Sequence, residues 1–374
     1  MPESLYIHIP FCKNKCFYCD FYSITYESEL AQKYIGVLCQ QIENASADFK
    51  TIYIGGGTPS VLDLRLWQKL LISLRKVSKN CQEFSLEANP ESLDSAKLDL
   101  FLEMGVNRIS IGLQSLDDRK LKKLGRIHSA TEAVKKVEQA RARGFRNISI
   151  DLIFGVWNES LEGWQKELAR AVKLSVDHIS LYGLTYEKNT DLFRKLKSHQ
   201  IKPLNDHIIA EMYSDSVNYL AEQGFLRYEV SNFSKAGYEC RHNLNYWDNG
   251  PYQAFGPSAV AYHNGCRKQY ISDLCSYVDG FESAKQIVAT SEELNPEFRA
   301  KETAAIKIRT RTGIESDWFK QKTGFDFFAL EAKVLAELNT EGLVAYRGGR
   351  GKSKTIFLTD KGFLFADRVS SAFL

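Results

Sequence analysis

Three cysteines, Cys12, Cys16 and Cys19, fall within eight residues in the stretch YIHIPFCKNKCFYCDFY (6–22). The spacing Cys-x3-Cys-x2-Cys gathers three thiolates with no fourth beside them. Structural zinc asks for four tetrahedral ligands, usually as two separated pairs. Here Cys39, Cys81, Cys240, Cys266 and Cys275 are scattered, and no histidine follows at finger-like spacing. An iron–sulfur cube accounts for the count better: three thiolates on a [4Fe–4S] cube leave one iron open to an exogenous chelate. Eight cysteines in 374 residues make no disulfide scaffold, and clustered cysteines in a reducing compartment bind metal or do redox chemistry. The scattered five suit small buried apolar positions.

Other residues with chemical capacity follow the β-prone runs. Gly55, Gly56 and Gly57 precede Thr58 and let the backbone approach a ligand closely. Glu87 and Asp151 are acceptors for hydroxyls or an ammonium, Gln114 both donates and accepts, and Arg126 carries a fork suited to a carboxylate. Phe17 and Tyr18 either cover a planar group or pack around the cysteine loop. A second stretch, CRHNLNYW (240–247), offers the His242 imidazole, the Cys240 thiol and two flat aromatics, Tyr246 and Trp247. The same residues could equally satisfy local backbone groups and fill a core. His8 reads as a hydrogen-bonded structural histidine.

These groups must be positioned by regular elements. β-prone runs occur at 5–10, 51–57, 83–88, 107–113, 147–155 and 177–184, with helical apolar spacing over 29–43, 64–78, 94–104, 129–143 and 160–174. Gly105 and Gly144 mark helix stops. Alternation of this kind predicts parallel βαβ units, wound as an open or partial barrel or as a doubly wound sheet. Polar or glycine residues at successive strand ends (Gly55–Thr58, Glu87, Gln114, Asp151, Thr185) favour the barrel, where such ends meet at one mouth. Past residue 230 the pattern changes: 232–265 reads as a long ordered loop or short strands. Helices at 299–311, 315–322 and 328–340, with strands at 342–348 and 355–360, then suggest a winged-helix-like module. Its Arg347, Arg350, Lys352 and Lys354 read as a solvated turn. The expected divisions are 1–231, a connecting segment 232–297, and 298–374. The net charge of +3 gives no reason to expect nucleic-acid binding. The absence of an eighteen-residue apolar run and of a signal-like N-terminus predicts a cytoplasmic protein.

Cys-x3-Cys-x2-Cys after a strand, with a glycine-rich strand end next, resembles the radical S-adenosylmethionine (SAM) enzymes. YIHIPFC, GGGTPS, GLQS and IDLIFG resemble the coproporphyrinogen III dehydrogenase family among them, over nearly the whole chain. The resemblance implies an α/β fold: a partial (β/α)6 TIM-like radical SAM barrel with a smaller C-terminal α+β winged-helix-like domain. It implies that Cys12, Cys16 and Cys19 hold a [4Fe–4S] cluster and that SAM chelates the open iron through its amino and carboxylate groups. It further implies SAM contacts from Tyr6, Tyr18, Gly55, Gly56, Gly57, Thr58, Glu87, Gln114, Arg126, Asp151 and Thr185.

That family divides into oxidases and haem carriers. The dehydrogenase has an extension before its Y-x-H-I-P-F-C and a Gly-Cys after its third cysteine. Here Tyr6 stands near the start and Asp20-Phe21 follow Cys19. His-Asn-x-x-Tyr-Trp at 242–247 resembles the haem-chaperone branch. It implies haem as a further cofactor, with His242, Asn243, Tyr246 and Trp247 as candidates to hold it. One departure is Val260, where relatives carry a histidine; the nearest here is His263. The partners implied are haem, respiratory haem-acceptor proteins and an electron donor for the cluster, with peripheral membrane contact left open. The alternatives are oxidative decarboxylation of coproporphyrinogen III and, more remotely, a zinc-stabilised nucleic-acid-binding protein. Whether SAM is cleaved or only bound stays open.

Overall fold

Apolar residues alternate with polar ones along the β-prone runs, and that alternation decides how the sheet is used. The computed structural model describes residues 2–45, 48–348 and 353–374. β1 (Ser4–Ile9), β2 (Thr51–Gly56), β3 (Glu83–Ala88), β4 (Arg108–Gln114), β5 (Asn147–Phe154) and β6 (His178–Gly183) lie side by side in chain order, all parallel. A doubly wound sheet needs a point where the strand order reverses. None occurs among these six, so every right-handed crossover returns on the same side and the helices cover one face only. This is barrel-type winding. Ile7, Ile54, Leu86, Ile111, Ile150 and Ile179 face the helices and are fully buried. The alternate positions, among them Tyr6, Tyr53, Glu87, Ser110, Asp151 and Ser180, line the inside.

Four of the βα loops end in a side-chain cap, while the first helix, Ser28–Glu43, starts without one. Asp63, Asp94, Ser129 and Ser160 accept from Leu66, Lys97, Glu132 and Gly163 backbone N–H groups and start the helices Leu64–Leu74, Ser95–Glu103, Ala130–Arg143 and Leu161–Ala171. Such caps contribute about 1 kcal/mol each.

Residues from 226 on supply further strands to the sheet. β7 (Leu226–Arg227) and β8 (Asn232–Ser234) extend the sheet antiparallel beyond β6, and β9 (Gln253–Phe255) pairs parallel with β1 at the other edge. An incomplete barrel leaves two strand edges to be satisfied, and this segment supplies partners to both. Between them, residues expected as loop or strand form the helix Arg241–Trp247. β10 (Val260–His263), β11 (Cys266–Tyr270) and β12 (Val288–Glu293) then form an antiparallel sheet.

The C-terminal module packs the helices Pro296–Lys307, Ser316–Thr323, Phe327–Leu330 and Ala332–Thr340 with β13 (Ile314–Glu315), β14 (Val344–Arg347) and β15 (Thr355–Leu358), in the order β13-β15-β14. Arg347 donates to Thr312 O at 2.9 Å, and the Lys354 ammonium lies 4.4 Å from the Phe328 and Tyr346 rings, so both basic side chains are used inside the module. Arg350 and Lys352 lie outside the described residues. Arg227 joins module to barrel through Asp360, 3.0 Å away, and the Phe363 ring. No helix among the described residues is long and apolar enough to cross a membrane.

Candidate metal centre and cofactor pocket

The cysteine loop leaves β1 at Ile9 and is closed at its base. Ile24 N donates to Pro10 O at 2.8 Å, and Tyr26 N to Cys12 O at 2.9 Å. Phe17 pins its middle, donating to Leu124 O at 3.2 Å and accepting from Leu192 N at 2.8 Å. Phe17 and Tyr18 pack against a small apolar cluster of Leu124, Ile153, Val156, Leu184 and Leu192, so both rings have a packing role. Cys12 is buried; Cys16 and Cys19 are partly exposed.

The thiols have partners that suit sulfur anions. Thr58 Oγ1 donates to Cys12 Sγ at 3.4 Å and Arg126 Nη1 to Cys16 Sγ at 3.3 Å. Burial raises the Cys12 thiol and pushes Cys19 up to about 11. Thiolates here therefore call for a bound cationic centre, and its uptake would release protons. No three His, Cys, Asp or Glu side chains among the described residues converge on one point as ligands of a single ion would. A cube spreads its ligands apart, and the three thiols of this loop fit that group better than a lone tetrahedral ion.

The glycine run serves protein groups as well as any ligand. Gly57 N donates to Ile9 O at 2.9 Å and Thr58 N to Phe11 O at 2.7 Å. A Cβ on Gly57 would lie 2.7 Å from Phe11 O and 3.0 Å from Cys12 Sγ; one on Gly55 would meet the Glu87 carboxyl at 2.9 Å. Gly56, at φ +114°, packs against the His8 ring.

Deeper inside, Glu87 accepts from Tyr53 OH at 2.7 Å and Gly56 N at 3.3 Å. Burial, aided by nearby Asp151, pushes it up to about 7, so at neutral pH it can accept or donate. Asp151 is likewise raised by burial and accepts from Ser110 Oγ at 3.3 Å. It sits in the middle of β5, not at its end, because the strand continues to Phe154. Tyr6 OH bonds His8 Nδ1 at 3.0 Å, while His8 Nε2 donates to Tyr22 O at 2.9 Å. Burial lowers His8 to about 4, so it is a neutral structural residue.

Gln114 ends β4 at φ 63°, where register shifts between Ile111 and Gln114. A non-glycine residue held there is strained, a cost of order 1–3 kcal/mol that concentrates at functional sites. Arg126 also donates to Gly112 O at 2.9 Å and stands 4.0 Å from Glu91. Its guanidinium is thus anchored between Cys16, a carbonyl and a carboxylate, where a free fork for a ligand was expected. Thr185 is exposed, two residues past β6. The fold therefore brings Cys12, Cys16, Gly57, Thr58 and Arg126 to the rim, with Tyr6, Glu87 and Asp151 below. Sequence reasoning missed Tyr53, Ser110, Glu91 and His128, the last bonded to Glu91 at 3.1 Å. The strand positions of Tyr53 and Ser110, in phase with Glu87 and Asp151, carried the missed signal.

The helix Arg241–Trp247 closes the opposite end of the barrel. Glu83 accepts from Arg241 N at 2.8 Å, His242 N at 3.0 Å and Cys240 Sγ at 3.3 Å. Thr51 Oγ1 donates to Ser4 Oγ and so accepts from His242 Nδ1, 2.8 Å away; His242 Nε2 then accepts from Tyr246 OH at 2.8 Å. Helical spacing places His242 and Tyr246 on one face. His242 is fully buried, lowered to about 3 by burial and by Arg108, and offers no free ring nitrogen to an iron in this arrangement. Cys240 is also fully buried, its thiol pushed up to about 12. Trp247 is half-buried beneath the Arg309 guanidinium, Asn243 is half-buried beside it on the same helix, and His263 is exposed. Both ring nitrogens of His242 are engaged in local hydrogen bonds in this arrangement.

Residues 6–171 match the Radical SAM superfamily. Over 380 aligned residues the chain is 34% identical to "Heme chaperone HemW" of Bacillus subtilis, covering 100% of this chain and 99% of that relative. The chain belongs to the HemW family of radical SAM proteins. HemW of Escherichia coli is 39% identical over 266 residues, 69% of either chain. The solved structure of coproporphyrinogen III oxidase (HemN) from E. coli superposes with a TM-score of 0.86 at 22% identity, covering 100% of this chain and 90% of that one. That likeness establishes the radical SAM fold for this HemW-family chain, as the motif resemblance implied.

In this HemW-family rim, Gly57→Ala is expected to lower cluster occupancy roughly tenfold, since the added methyl would crowd the Phe11 carbonyl at 2.7 Å and Cys12 Sγ at 3.0 Å and so shift the start of the cysteine loop. Iron and sulfide per chain, with unchanged far-ultraviolet circular dichroism, would check this. Wild-type iron content would show that the close Gly57–Cys12 approach does not matter.

Proposed function

We propose that this chain carries haem to acceptor proteins, respiratory haem proteins among them, and that its rim holds a [4Fe–4S] cluster and SAM. The observation that carries the reading is the full-length match to proteins named heme chaperone, joined to a loop of three thiols whose donors come from Thr58 and Arg126. Cys12, Cys16 and Cys19 would hold the cluster; when bound, it would supply an electron to the sulfonium of SAM. Arg126 neutralises Cys16 and orders the β4 end. Glu87 and Asp151 provide acceptors for the ammonium and hydroxyls of a nucleoside ligand, with Tyr6 and Gln114 alongside. Tyr18 and the Gly55–Thr58 turn would shape the pocket.

The test is anaerobic. The protein loaded with iron and sulfide is given haem and an apo-acceptor, and in parallel coproporphyrinogen III with SAM and a reductant. Haem transfer without decarboxylation is expected. Protoporphyrinogen formation with turnover would replace this reading with the oxidase. Purified protein holding zinc without iron and sulfide would point to the nucleic-acid-binding alternative.

A further inference from the structure

We propose that five rings, Tyr6, Tyr53, His242, Tyr246 and Tyr252, form a relay that carries an oxidising equivalent from the cofactor pocket through the closed end of the barrel to the surface. The inference rests on the SAM reading above and gives the barrel wall a task beside it. Tyr6 and Tyr53 line the inside of the barrel, with ring centres 6.4 Å apart. Tyr53 lies 5.3 Å from the His242 imidazole, His242 4.8 Å from Tyr246, and Tyr246 4.6 Å from Tyr252. Rings with centres this close touch or nearly touch, and an electron crosses such gaps fast. Tyr252 is partly exposed and is fixed by two backbone hydrogen bonds to Tyr262.

Packing alone would account for a row of rings, but the hydrogen bonds add what packing does not need. A phenol gives up an electron readily only when its proton can leave with it, because the oxidised phenol is a strong acid. Tyr6 donates to His8 Nδ1 at 3.0 Å, Tyr53 to Glu87 Oε1 at 2.7 Å and Tyr246 to His242 Nε2 at 2.8 Å. Each of these three phenols therefore has a base in place. Other buried tyrosines are held by carbonyls, which cannot keep a proton: Tyr34 donates to His8 O and Tyr213 to Val230 O. Glu87, pushed up to about 7 by burial, can return a proton to Tyr53 as well as accept one. His242 Nδ1 already donates to Thr51, so Nε2 is its basic nitrogen.

The oxidant is the primary alkyl radical left by reductive cleavage of SAM. It takes a hydrogen atom from Tyr53: an alkyl C–H bond forms and the weaker phenol O–H bond breaks. The Tyr53 phenoxyl then takes an electron from Tyr246 and a proton from Glu87, while Tyr246 passes its own proton to His242 Nε2. Tyr246 recovers that proton from His242 as it takes an electron from Tyr252, whose proton goes to water, and water reprotonates Glu87. A soluble thiol finally gives Tyr252 a hydrogen atom and leaves as a thiyl radical. The net change is one C–H bond made and one S–H bond broken. A radical formed without its target is thereby drawn off before it damages the barrel wall.

The experiment uses 3-aminotyrosine, which is easier to oxidise than tyrosine, as a reporter read by electron paramagnetic resonance. In place of Tyr252, in the chain loaded with iron and sulfide, reduced, freed of excess reductant and given SAM, it is expected to become a radical in step with 5′-deoxyadenosine release. Tyr246→Phe is expected to lower that signal by about tenfold or more. A second arm needs neither cluster nor SAM. A ruthenium bipyridyl photo-oxidant is attached to exposed His263 in a His199→Asn/His207→Gln background, which removes the other exposed histidines. It should oxidise 3-aminotyrosine placed at position 53, and Tyr246→Phe or Tyr252→Phe should slow this by about tenfold or more. Tyr252→Phe, at a partly exposed position, serves should Tyr246→Phe misfold. Reporter signals unchanged by these substitutions, or a reporter at position 53 that the ruthenium never oxidises, would overturn the relay. Absence of 5′-deoxyadenosine would overturn the SAM reading instead, and the ruthenium arm would still decide whether the rings conduct.

Discussion

Cys16→Ala is expected to abolish cluster uptake and leave the barrel folded. The side chain is partly exposed, in a loop held by the Phe17 backbone and the Phe11–Cys12 pairing, none of which needs the Cys16 sulfur. Losing it leaves the buried Arg126 one acceptor short, a cost of about 1–3 kcal/mol. Its chemical cost is larger. Two thiols hold a cube poorly, and Arg126, almost fully buried, loses the acceptor on Nη1 and keeps Gly112 O on Nη2. Iron and acid-labile sulfide per chain should fall by more than about tenfold, since even changes one layer out from a metal cost 10–100-fold. Cys275→Ala, at an exposed and scattered position, should leave both unchanged. Retained iron in Cys16→Ala would mean that the ligands lie elsewhere.

His242→Ala should instead act on stability. It strips partners from the Thr51 and Tyr246 hydroxyls and opens a cavity under the Tyr53 ring, whose centre lies 5.3 Å from the imidazole. Lost buried hydrogen bonds and the cavity together cost about 3 kcal/mol. The sign of the pH effect is fixed by the lowered value of about 3 against roughly 6.5 in the unfolded chain. Between those values the unfolded chain binds a proton that the folded one refuses. The stability His242 contributes is therefore complete above about 6.5 and is lost as pH falls toward 3. His8 and His178, also lowered by burial, act in the same direction, and Glu87, raised to about 7, in the opposite one. The gap between wild type and His242→Ala isolates the one group. Measured by urea unfolding, it should be about 2 kcal/mol smaller at pH 5 than at pH 7. A variant that loses haem with its urea midpoint unchanged would restore His242 as an iron ligand.

Much of the site was legible. The strands end within one or two residues of the positions read from β-prone runs, and the motif residues Cys12, Cys16, Thr58, Gly57 and Arg126 do meet at one rim. Two positions were less legible, for identifiable reasons. Asp151 was grouped with the strand ends although its β-prone run continues past it; the strand does run on to Phe154, and the polar inner face of this barrel makes an acidic residue there ordinary. His242 was offered to iron because an imidazole between aromatics reads the same whether its nitrogens are free or taken. Its partner Thr51 lies 191 residues away in the chain, beyond the reach of any local pattern.

The sequence by itself determined the three-thiol loop, the six strand–helix units and the family, because these depend on residue type and short-range spacing. Only the tertiary structure decided which end of the barrel is closed by Arg241–Trp247. It also decided that Arg126 serves Cys16, and that the glycine run makes room for Cys12 and Glu87. Those outcomes depend on which strand pairs with which, and on donors and acceptors that meet only when the sheet curls around its polar face.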